Sequence, residues 1–547
     1  MTVTGDWITP YFGGVTRFDK PPLVYWMMAI AYQTLGVNEW SARLPSALAA
    51  TGITALGFYA LLRFGYPSPK KAASDSALDP VAELAQSSPA STQLWISACI
   101  GSALIALNPQ TIVWARTGVS DLLLTGCMDS ALLAFFLGYA QPEQPQVQQR
   151  WYLAFYVLSA LAVLAKGPVG IVLPGLIILA FLLYIGNLRP VLQEMRLLRG
   201  GLLFAAIAIP WFVLVIQANG EAYINSFFGY HNLERFTQVV NHHSAPWFFY
   251  FLVVFIGFAP WSVYLPVAIA RLRFWQRRHW QQQPRSAQLG LFALIWFVVI
   301  FGFFTIAVTK LPSYTIPLLP AAAMMTALFW SDQMTRSRVH RHPWISDFLN
   351  VGLLAVLAGA TLYCPNWMGD DPEMPKFPEL LEQSGLLIVG AVIWGTGAIA
   401  ALILLLRRQG RWLWGINLIS FTAFVLLVLM PTTMLMDSQR QLPLRQIAEK
   451  IVQVQQPAEP VVMVGFAKPS VVFYTQRSIL YVEDLAEVPK RLQKLANQSP
   501  EPPSILILGR TRKLDEVGLL DPNQYPHTAI AQAAVYQLLR INLPLQQ

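Results

Sequence analysis

The sequence predicts an α-helical protein that crosses a membrane many times and ends in a small α/β domain. Of its 547 residues, 55% are hydrophobic and only 12% are charged, with a mean hydropathy of +0.46. A soluble domain carries about 25% charged residues, so an ordinary soluble enzyme, a disordered chain and a collagen-like chain are excluded. Two further observations support this prediction: the long apolar runs, and a change to short strand-like segments near the end of the chain.

Apolar runs of the length that a bilayer requires recur through the first four fifths of the chain. A membrane-spanning helix needs about 20 apolar residues, with about 17 to 25 tolerated. The 36-residue run from 151 to 186 is too long for one crossing, and Gly167-Pro168 divides it into a hairpin. Twelve spans are predicted: 41–63, 93–109, 119–140, 151–167, 169–186, 199–217, 248–270, 288–308, 314–330, 348–364, 384–406 and 412–432.

Basic residues are distributed unequally between the two sides that these spans define. The side opposite residues 1–40 carries more than twice as many Lys and Arg residues in its loops, which predicts that it is cytoplasmic. Residues 1–40, the 218–247 loop and the chain after 436 then face out of the cytoplasm, as in a multi-pass protein of the plasma (inner) membrane. The net charge of +9 is thereby explained by orientation, and no nucleic-acid partner is expected.

Two domains are predicted, a transmembrane domain at 1–435 and an extracytoplasmic α/β domain at 436–547. The second contains β-rich runs at 461–466, 478–483 and 504–509, with a helix-compatible stretch at 486–498 between the last two. Within the first, residues 1–40 form an extracytoplasmic loop and an amphipathic interfacial helix at 22–35. Cys99, Cys127 and Cys364 are too scattered for a disulfide framework or a Cys-x-x-Cys metal pair.

Basic residues on the outward side are disfavoured by orientation, so they are candidates for function. Cations at the membrane boundary can bind the phosphate of a lipid, and the alternative is that they are headgroup anchors without a substrate. Asp121, at the start of the 119–140 span, is a candidate general base, or else half of an Asp–Arg pair that ties two helices together; the deeper Asp129 is expected to be structural. The candidate phosphate-binding residues are Lys20, Arg116, Lys166, Arg235 and Lys310.

Aromatic and titratable residues accompany these cations. Tyr25 and Trp26 anchor the interfacial helix, and Tyr314 with Lys310 brackets a polar headgroup, so these rings are candidates for sugar and headgroup binding. His231 is either a metal ligand together with Asp19 or a headgroup contact. The set fits an anionic lipid-linked substrate, because it offers cations for phosphate, a carboxylate for proton transfer and aromatic planes for a sugar.

The motifs that contain these residues resemble a family of membrane glycosyltransferases of the GT-C class, in family 39 or 83. The similarity is to bacterial aminoarabinose transferases of lipid A and to protein mannosyltransferases, and it is close over residues 1 to about 330. The motifs are Gly5-Asp6-Trp7-x-x-Pro10, Phe18-Asp19-Lys20-Pro21-Pro22-Leu23-x-Tyr25-Trp26, Arg43-Leu44-Pro45-Ser46-Ala47, Ala115-Arg116 with Asp121, Lys166-Gly167-Pro168 and the segment 309–320.

The resemblance implies a sugar donor carried on polyprenyl phosphate, transfer with inversion to a lipid, glycan or protein acceptor, and no nucleotide sugar. It implies that Lys20 contacts the donor phosphate and that Asp121 lies near the catalytic cavity. Arg235 falls in a His-x-x-x-Arg-Phe pattern, and Asp19 with His231 corresponds to a metal-contacting pair, which makes a divalent metal a possible cofactor. Asp19 stands where relatives have Glu.

One departure concerns the usual catalytic aspartate. Family members carry an Asp-Glu pair after a first span, before the Gly-Asp-Trp motif, whereas here Met1 lies four residues before Gly5. The expectation is that in-frame upstream sequence encodes that span and pair; otherwise Asp121 is the best remaining candidate. The competing functions are a lipid or solute transporter or flippase, and a catalytically inactive family member.

Overall fold

The structure is a computed structural model that describes residues 1–2, 4–12, 15–65, 89–234, 245–335, 344–498 and 504–542. Two compact units are present. The first contains Met1–Pro10, Thr16–Leu354 and Gly397–Phe421; the second contains Tyr11–Val15, Ala355–Thr396 and Thr422–Gln547.

Within the described residues, the first half of the chain is helical apart from one short hairpin. The hairpin pairs β1 (Tyr11–Phe12) with β2 (Val15–Thr16). The helices are α1 (Leu23–Leu35), α2 (Glu39–Phe64), α3 (Pro89–Ala106), α4 (Pro109–Trp114), α5 (Ser120–Tyr139), α6 (Pro145–Lys166), α7 (Val169–Ile185), α8 (Leu188–Glu194), α9 (Leu197–Asn219), α10 (Glu221–Ile224) and a π-helix at Asn225–Glu234.

Helices continue through the middle of the chain. They are α11 (Phe249–Gly257), α12 (Leu265–Arg271), α13 (Arg277–Gln282), α14 (Leu289–Ile306), α15 (Leu319–Thr335), α16 (Trp344–Tyr363), α17 (Phe377–Gln383), α18 (Leu386–Leu406), α19 (Leu413–Phe424), α20 (Met430–Arg440) and α21 (Leu442–Val454). Short 3-10 turns lie at Trp261–Tyr264, Arg285–Ala287, Pro312–Leu318, Cys364–Trp367 and Gly410–Trp412, and a π-helical turn at Val425–Leu429.

The predicted polytopic helical fold is confirmed. Within the described residues, eight helices are long and apolar enough to cross a membrane, or nine if one bent pair counts as a span. All twelve predicted segments are helical, but three of them are not among these nine: 93–109 and 169–186 form shorter apolar helices, α3 and α7, and 151–167 lies in α6. The segment 248–270 is bent by 111° between Phe249–Gly257 and Trp261–Arg271. Pro260, which has no N–H to donate, lies at that break.

Helix α5 lies at the centre of the first unit. Almost all of its side chains are buried, and it packs against α2, α6 and α7. A Cβ at Gly126 would lie 2.6 Å from the Cβ of Ala49 on α2, so only glycine permits this approach. The predicted hairpin is also present: α6 ends at Lys166, and Gly167 turns the chain with a φ of 92°. The antiparallel packing of α5 on α6, with Gly138 against Tyr152, places the start of α5 beside the end of α6.

The second unit contains a five-stranded sheet in the order β4-β3-β5-β7-β6. Its strands are β3 (Val461–Val464), β4 (Ile479–Val482), β5 (Ser504–Arg510), β6 (His527–Ala533) and β7 (Tyr536–Asn542), and its helices are α22 (Pro469–Thr475), α23 (Val488–Gln498) and α24 (Thr511–Glu516). Strand β3 is parallel to β4 and β5, with Val461 opposite both Ile479 and Leu506; β7 is antiparallel to β5 and β6.

Apolar side chains cover both faces of this sheet. One face packs against α21 and α22 through residues such as Ile447 and Val471. The other packs against α23 and α24 through Val488, Leu492 and Leu514. The predicted α/β architecture is therefore confirmed, and the three predicted strands match β3, β4 and β5. Strands β6 and β7 were not predicted.

Candidate functional site

The ends of several elements meet at one end of the first unit and build the candidate site. Asp121 lies in the first turn of α5, and Lys166 is the last residue of α6. These helices form an antiparallel pair, so the amino end of one meets the carboxyl end of the other. A carboxylate is stabilised at a helix amino end and a cation at a carboxyl end, and this favours both residues where they are.

A salt bridge between Lys166 and Asp121 is the centre of the site. The Lys166 ammonium donates to Oδ1 of Asp121 at 2.8 Å, and the two side chains are only 17% and 16% exposed. Ser313, at the start of the Pro312–Leu318 turn, and the charge of Lys20 lie near this carboxylate. A carboxylate has about four lone-pair positions, so Asp121 retains capacity to accept another hydrogen bond.

An aromatic ring lies beside this salt bridge. The Lys166 ammonium is 5.4 Å from the ring centroid of Tyr314, which is within the range of a cation–π contact. Tyr314 in turn packs on Phe304 of α14, with 4.8 Å between centroids. The ring therefore has a fixed position next to the charged groups, as a platform for a sugar requires.

The N-terminal loop is held against α9 and α1, and this holds Lys20 close to the salt bridge. Trp211 Nε1 donates to the carbonyl of Ile8 at 3.1 Å, and Asn219 donates to the hydroxyl of Thr9 at 2.9 Å. Trp26 Nε1 donates to the carbonyl of Trp7 at 2.8 Å, so this predicted sugar-binding residue fastens the loop to α1. Phe18 is buried in a cluster with Leu164 and Trp211.

Asp19 is held by groups of the same loop and helix. Arg17 donates to both of its oxygens at 3.1 Å, and the Tyr25 hydroxyl donates to Oδ1 at 2.9 Å. Burial alone would raise the pKa of the Asp19 carboxyl, but the Arg17 hydrogen bonds and the charges of Lys20 and Arg17 hold that pKa below its usual range. Lys20 itself donates to the Asp19 carbonyl at 2.9 Å.

The described residues around Asp19 do not by themselves offer a set of metal ligands. Its carboxylate is already neutralised by a guanidinium, which would repel a cation. Among the side chains that the structure describes, no cluster of three or more His, Cys, Asp or Glu groups is placed to hold a metal. The side chain of His231 lies outside the described residues, so its pairing with Asp19 stays a prediction.

Two other predicted phosphate ligands, Lys310 and Arg116, donate hydrogen bonds to nearby backbone carbonyls. Lys310 is buried and donates to the carbonyls of Thr305 and Ala307, both at 2.8 Å, so it caps the carboxyl end of α14. Burial lowers the pKa of its ammonium. Its aromatic neighbour is Tyr250, at 5.5 Å, whereas Tyr314 pairs with Lys166. Arg116 is exposed and donates to the carbonyl of Ile112 at 2.9 Å.

Some residues predicted from the sequence have other partners in the structure or lie outside the described residues. The alternative prediction for Asp121 was a pair with an arginine that ties two helices together. Its salt-bridge partner is instead Lys166. Arg235 lies outside the described residues. Ser313 and Arg17 were not predicted, although Ser313 lies within the segment 309–320 and Arg17 directly precedes the motif that begins at Phe18. Asp129 is fully buried, and its oxygens have no hydrogen-bond partner within the described residues, in keeping with a role away from the site.

Comparison with known proteins finds similarity to sugar transferases in two segments of the chain. Residues 19–79 match the family described as dolichyl-phosphate-mannose-protein mannosyltransferase. Residues 454–547 match the C-terminal domain of the cyanobacterial RgtA-type glycosyltransferases. The first match includes Asp19, Lys20, Tyr25 and Trp26 of the candidate site.

Curated proteins with similar sequences are named as arabinosyl transferases. An undecaprenyl phosphate-α-4-amino-4-deoxy-L-arabinose arabinosyl transferase of Pseudomonas fluorescens is 28% identical over 372 residues, covering 66% of this chain and 57% of the relative. One of Aeromonas salmonicida is 28% identical over 427 residues, covering 75% and 67%. The chain therefore spans between about half and two thirds of the length of such relatives.

The fold is shared with a solved structure of the same kind. ArnT from Cupriavidus metallidurans, crystallised with undecaprenyl phosphate, superposes with a TM-score of 0.76 at 21% identity, covering 99% of this chain and 91% of that one. Its apo structure gives 0.73 at 20% identity. The chain is thus a polytopic membrane protein that is similar in sequence to aminoarabinose and mannosyl transferases and similar in fold to ArnT.

Proposed function

We propose that this protein transfers a sugar from a polyprenyl-phosphate-linked donor to an acceptor at the extracytoplasmic side of the plasma (inner) membrane, with inversion. The observation that carries the proposal is the salt bridge of Lys166 with Asp121 at one end of the helical unit, with the positive charge of Lys20 near the same carboxylate. Two cations and one carboxylate leave an excess positive charge, which suits a lipid phosphate.

Lys20 and Lys166 act on the phosphate of the donor. As the bond between the anomeric carbon and the phosphate oxygen breaks, that oxygen gains negative charge and leaves with the lipid. Ammonium groups already in place stabilise this charge more in the transition state than in the bound donor. Arg235, Arg116 and Lys310 remain further candidates for phosphate binding.

Asp121 acts on the acceptor. The acceptor oxygen attacks the anomeric carbon from the face opposite the departing phosphate, which inverts the configuration. When that oxygen belongs to a hydroxyl, its proton passes to the free lone pairs of the Asp121 carboxylate. Tyr314 offers the sugar an aromatic face next to Lys166. Tyr25 and Trp26, in the first turn of α1, are further candidates for sugar binding.

The donor to test first is undecaprenyl phosphate carrying 4-amino-4-deoxy-L-arabinose, because the curated relatives are named for it. Lipid A is the acceptor to test first, with glycan and protein acceptors as alternatives.

The experiment uses the full chain, purified and reconstituted in vesicles with a labelled sugar donor. We expect label to move to the acceptor and free lipid phosphate to appear in equal amount. Movement of intact donor between leaflets without sugar transfer would instead identify a flippase. Donor binding without either event would identify an inactive member of the family.

A further inference from the structure

The sheet of the second unit has a point at which the strand order reverses. From β3 the chain passes through α22 to β4 on one side, and the next strand, β5, lies on the other side of β3. Helices α22 and α23 accordingly cover opposite faces. In open α/β sheets, a crevice forms outside the carboxyl ends of the two strands at such a point, and ligands bind there.

Cationic side chains stand at the two strand ends that border this crevice. Lys468 follows β3, and Arg510 is the last residue of β5. Arg440, the last residue of α20, joins them. These three side chains are only 20%, 21% and 39% exposed, respectively.

A single carboxylate from the same unit bridges the three cations. Glu373, in the segment between α16 and α17, accepts from Lys468 at 2.8 Å, from Arg510 at 2.7 Å and from Arg440 at 3.0 Å, and its side chain is 7% exposed. Three positive charges against one negative charge leave an excess of two. A carboxylate seated among these groups shows that their geometry suits an anion.

The wall of the crevice is aromatic. The Arg510 guanidinium lies over the ring of Phe466 at 5.2 Å, and Phe466 packs against Tyr536 with 5.4 Å between centroids. A guanidinium held on a ring keeps its orientation when the anion it binds is exchanged, because the stacking does not depend on that anion. The crevice therefore presents a preformed set of donors.

We propose that this crevice binds a phosphate group, and that Glu373 is an intramolecular occupant that phosphate displaces. A phosphate monoester carries up to two negative charges and more acceptor oxygens than a carboxylate, so it matches the three cations better than Glu373 does. The phosphate belongs either to a lipid headgroup or to a soluble phosphate ester. Its exchange with Glu373 frees the segment between α16 and α17 from the sheet.

The test measures binding of inorganic phosphate to the full-length protein in detergent micelles, at constant ionic strength. Glu373→Gln removes the tethered competitor, and we expect the dissociation constant for phosphate to fall at least about tenfold. Glu379→Gln is the matched control, because it removes the same charge from an exposed position nearby and leaves the affinity unchanged. Adding Arg510→Gln to Glu373→Gln is expected to abolish the gain, whereas adding Arg512→Gln, at the exposed neighbouring arginine, preserves it.

Unchanged phosphate affinity in Glu373→Gln, or a gain that survives Arg510→Gln, overturns the proposal. If Glu373→Gln fails to fold, Glu373→Asp takes its place; its shorter carboxylate reaches the cations less well, and a dissociation constant equal to that of the unmodified protein overturns the proposal. A second measurement, with phosphatidylcholine vesicles that contain phosphatidic acid, distinguishes the two sources of the phosphate group. Tighter binding to phosphatidic acid than to inorganic phosphate assigns a lipid headgroup, and equal affinity assigns a soluble phosphate.

Discussion

Replacing Asp121 with asparagine is expected to separate donor binding from turnover. The change keeps the shape of the side chain but removes its charge and most of its basicity. At 2.8 Å and an effective dielectric constant of about 20, Asp121 attracts the Lys166 ammonium by about 6 kcal/mol. A donor phosphate contacting the far side of that ammonium lies about 5.6 Å from Asp121 and is repelled by about 3 kcal/mol on the same scale.

Water in the partly exposed site screens this repulsion to about half. Asp121→Asn is therefore expected to tighten binding of undecaprenyl phosphate by about tenfold, which corresponds to about 1.4 kcal/mol. Turnover is expected to fall about 10²- to 10⁴-fold, the usual contribution of a general base. The assays are equilibrium binding of the lipid phosphate in micelles and transfer of labelled sugar in vesicles.

Asp129→Asn is the matched control, because it makes the same chemical change on the same helix at a fully buried position away from the site. We expect it to leave both measurements within about threefold of the unmodified protein. Turnover in Asp121→Asn within about threefold of the unmodified value would refute the catalytic role. Weaker donor binding, with turnover falling in parallel, would show that Asp121 only builds the phosphate site.

Three further predictions concern charge. Lys20→Ala is expected to weaken binding of undecaprenyl phosphate at least about tenfold while the helical content measured by circular dichroism is retained; equal affinity would reject its role as a phosphate ligand. Glu459→Gln is expected to destabilise the second unit by about 3 kcal/mol in denaturant unfolding, because it leaves Arg540, whose Nε lies 2.8 Å from the fully buried Glu459 carboxylate, without its counter-charge. Acid is expected to lower the thermal midpoint of the same unit. Burial tends to raise the pKa values of Glu459 and Glu373, but the hydrogen bonds and charges of their cationic partners hold these pKa values below the ordinary value for Glu. Their contribution to stability is thus complete above about pH 4.3 and is lost as pH falls through the lowered values, and a midpoint that is flat down to pH 3 would contradict this.

Local patterns were sufficient for much of the fold. The lengths of apolar runs located the helices, since a span must hide its backbone polar groups from lipid over a fixed thickness. Gly167-Pro168 marked the hairpin because both residues act on the backbone where they stand. Strands β6 and β7 escaped prediction. His527–Ala533 is rich in small and polar residues and half exposed, so its pairing with β7 decides its conformation more than its own propensity does.

The sequence by itself determined that the chain is a polytopic membrane protein, and it identified Lys20, Asp121, Lys166 and Tyr314 as separate candidates. Only the tertiary structure decided which of these meet. Asp121 and Lys166 lie 45 positions apart and pair because α5 and α6 pack antiparallel. Lys310, from an equally suggestive motif, instead binds carbonyl groups at the end of α14. The physical reason is that the sequence sets which charged residues exist and at what depth in the membrane they lie. Which residues of different helices become partners is fixed by helix packing, and the residue spacing within one segment does not specify it.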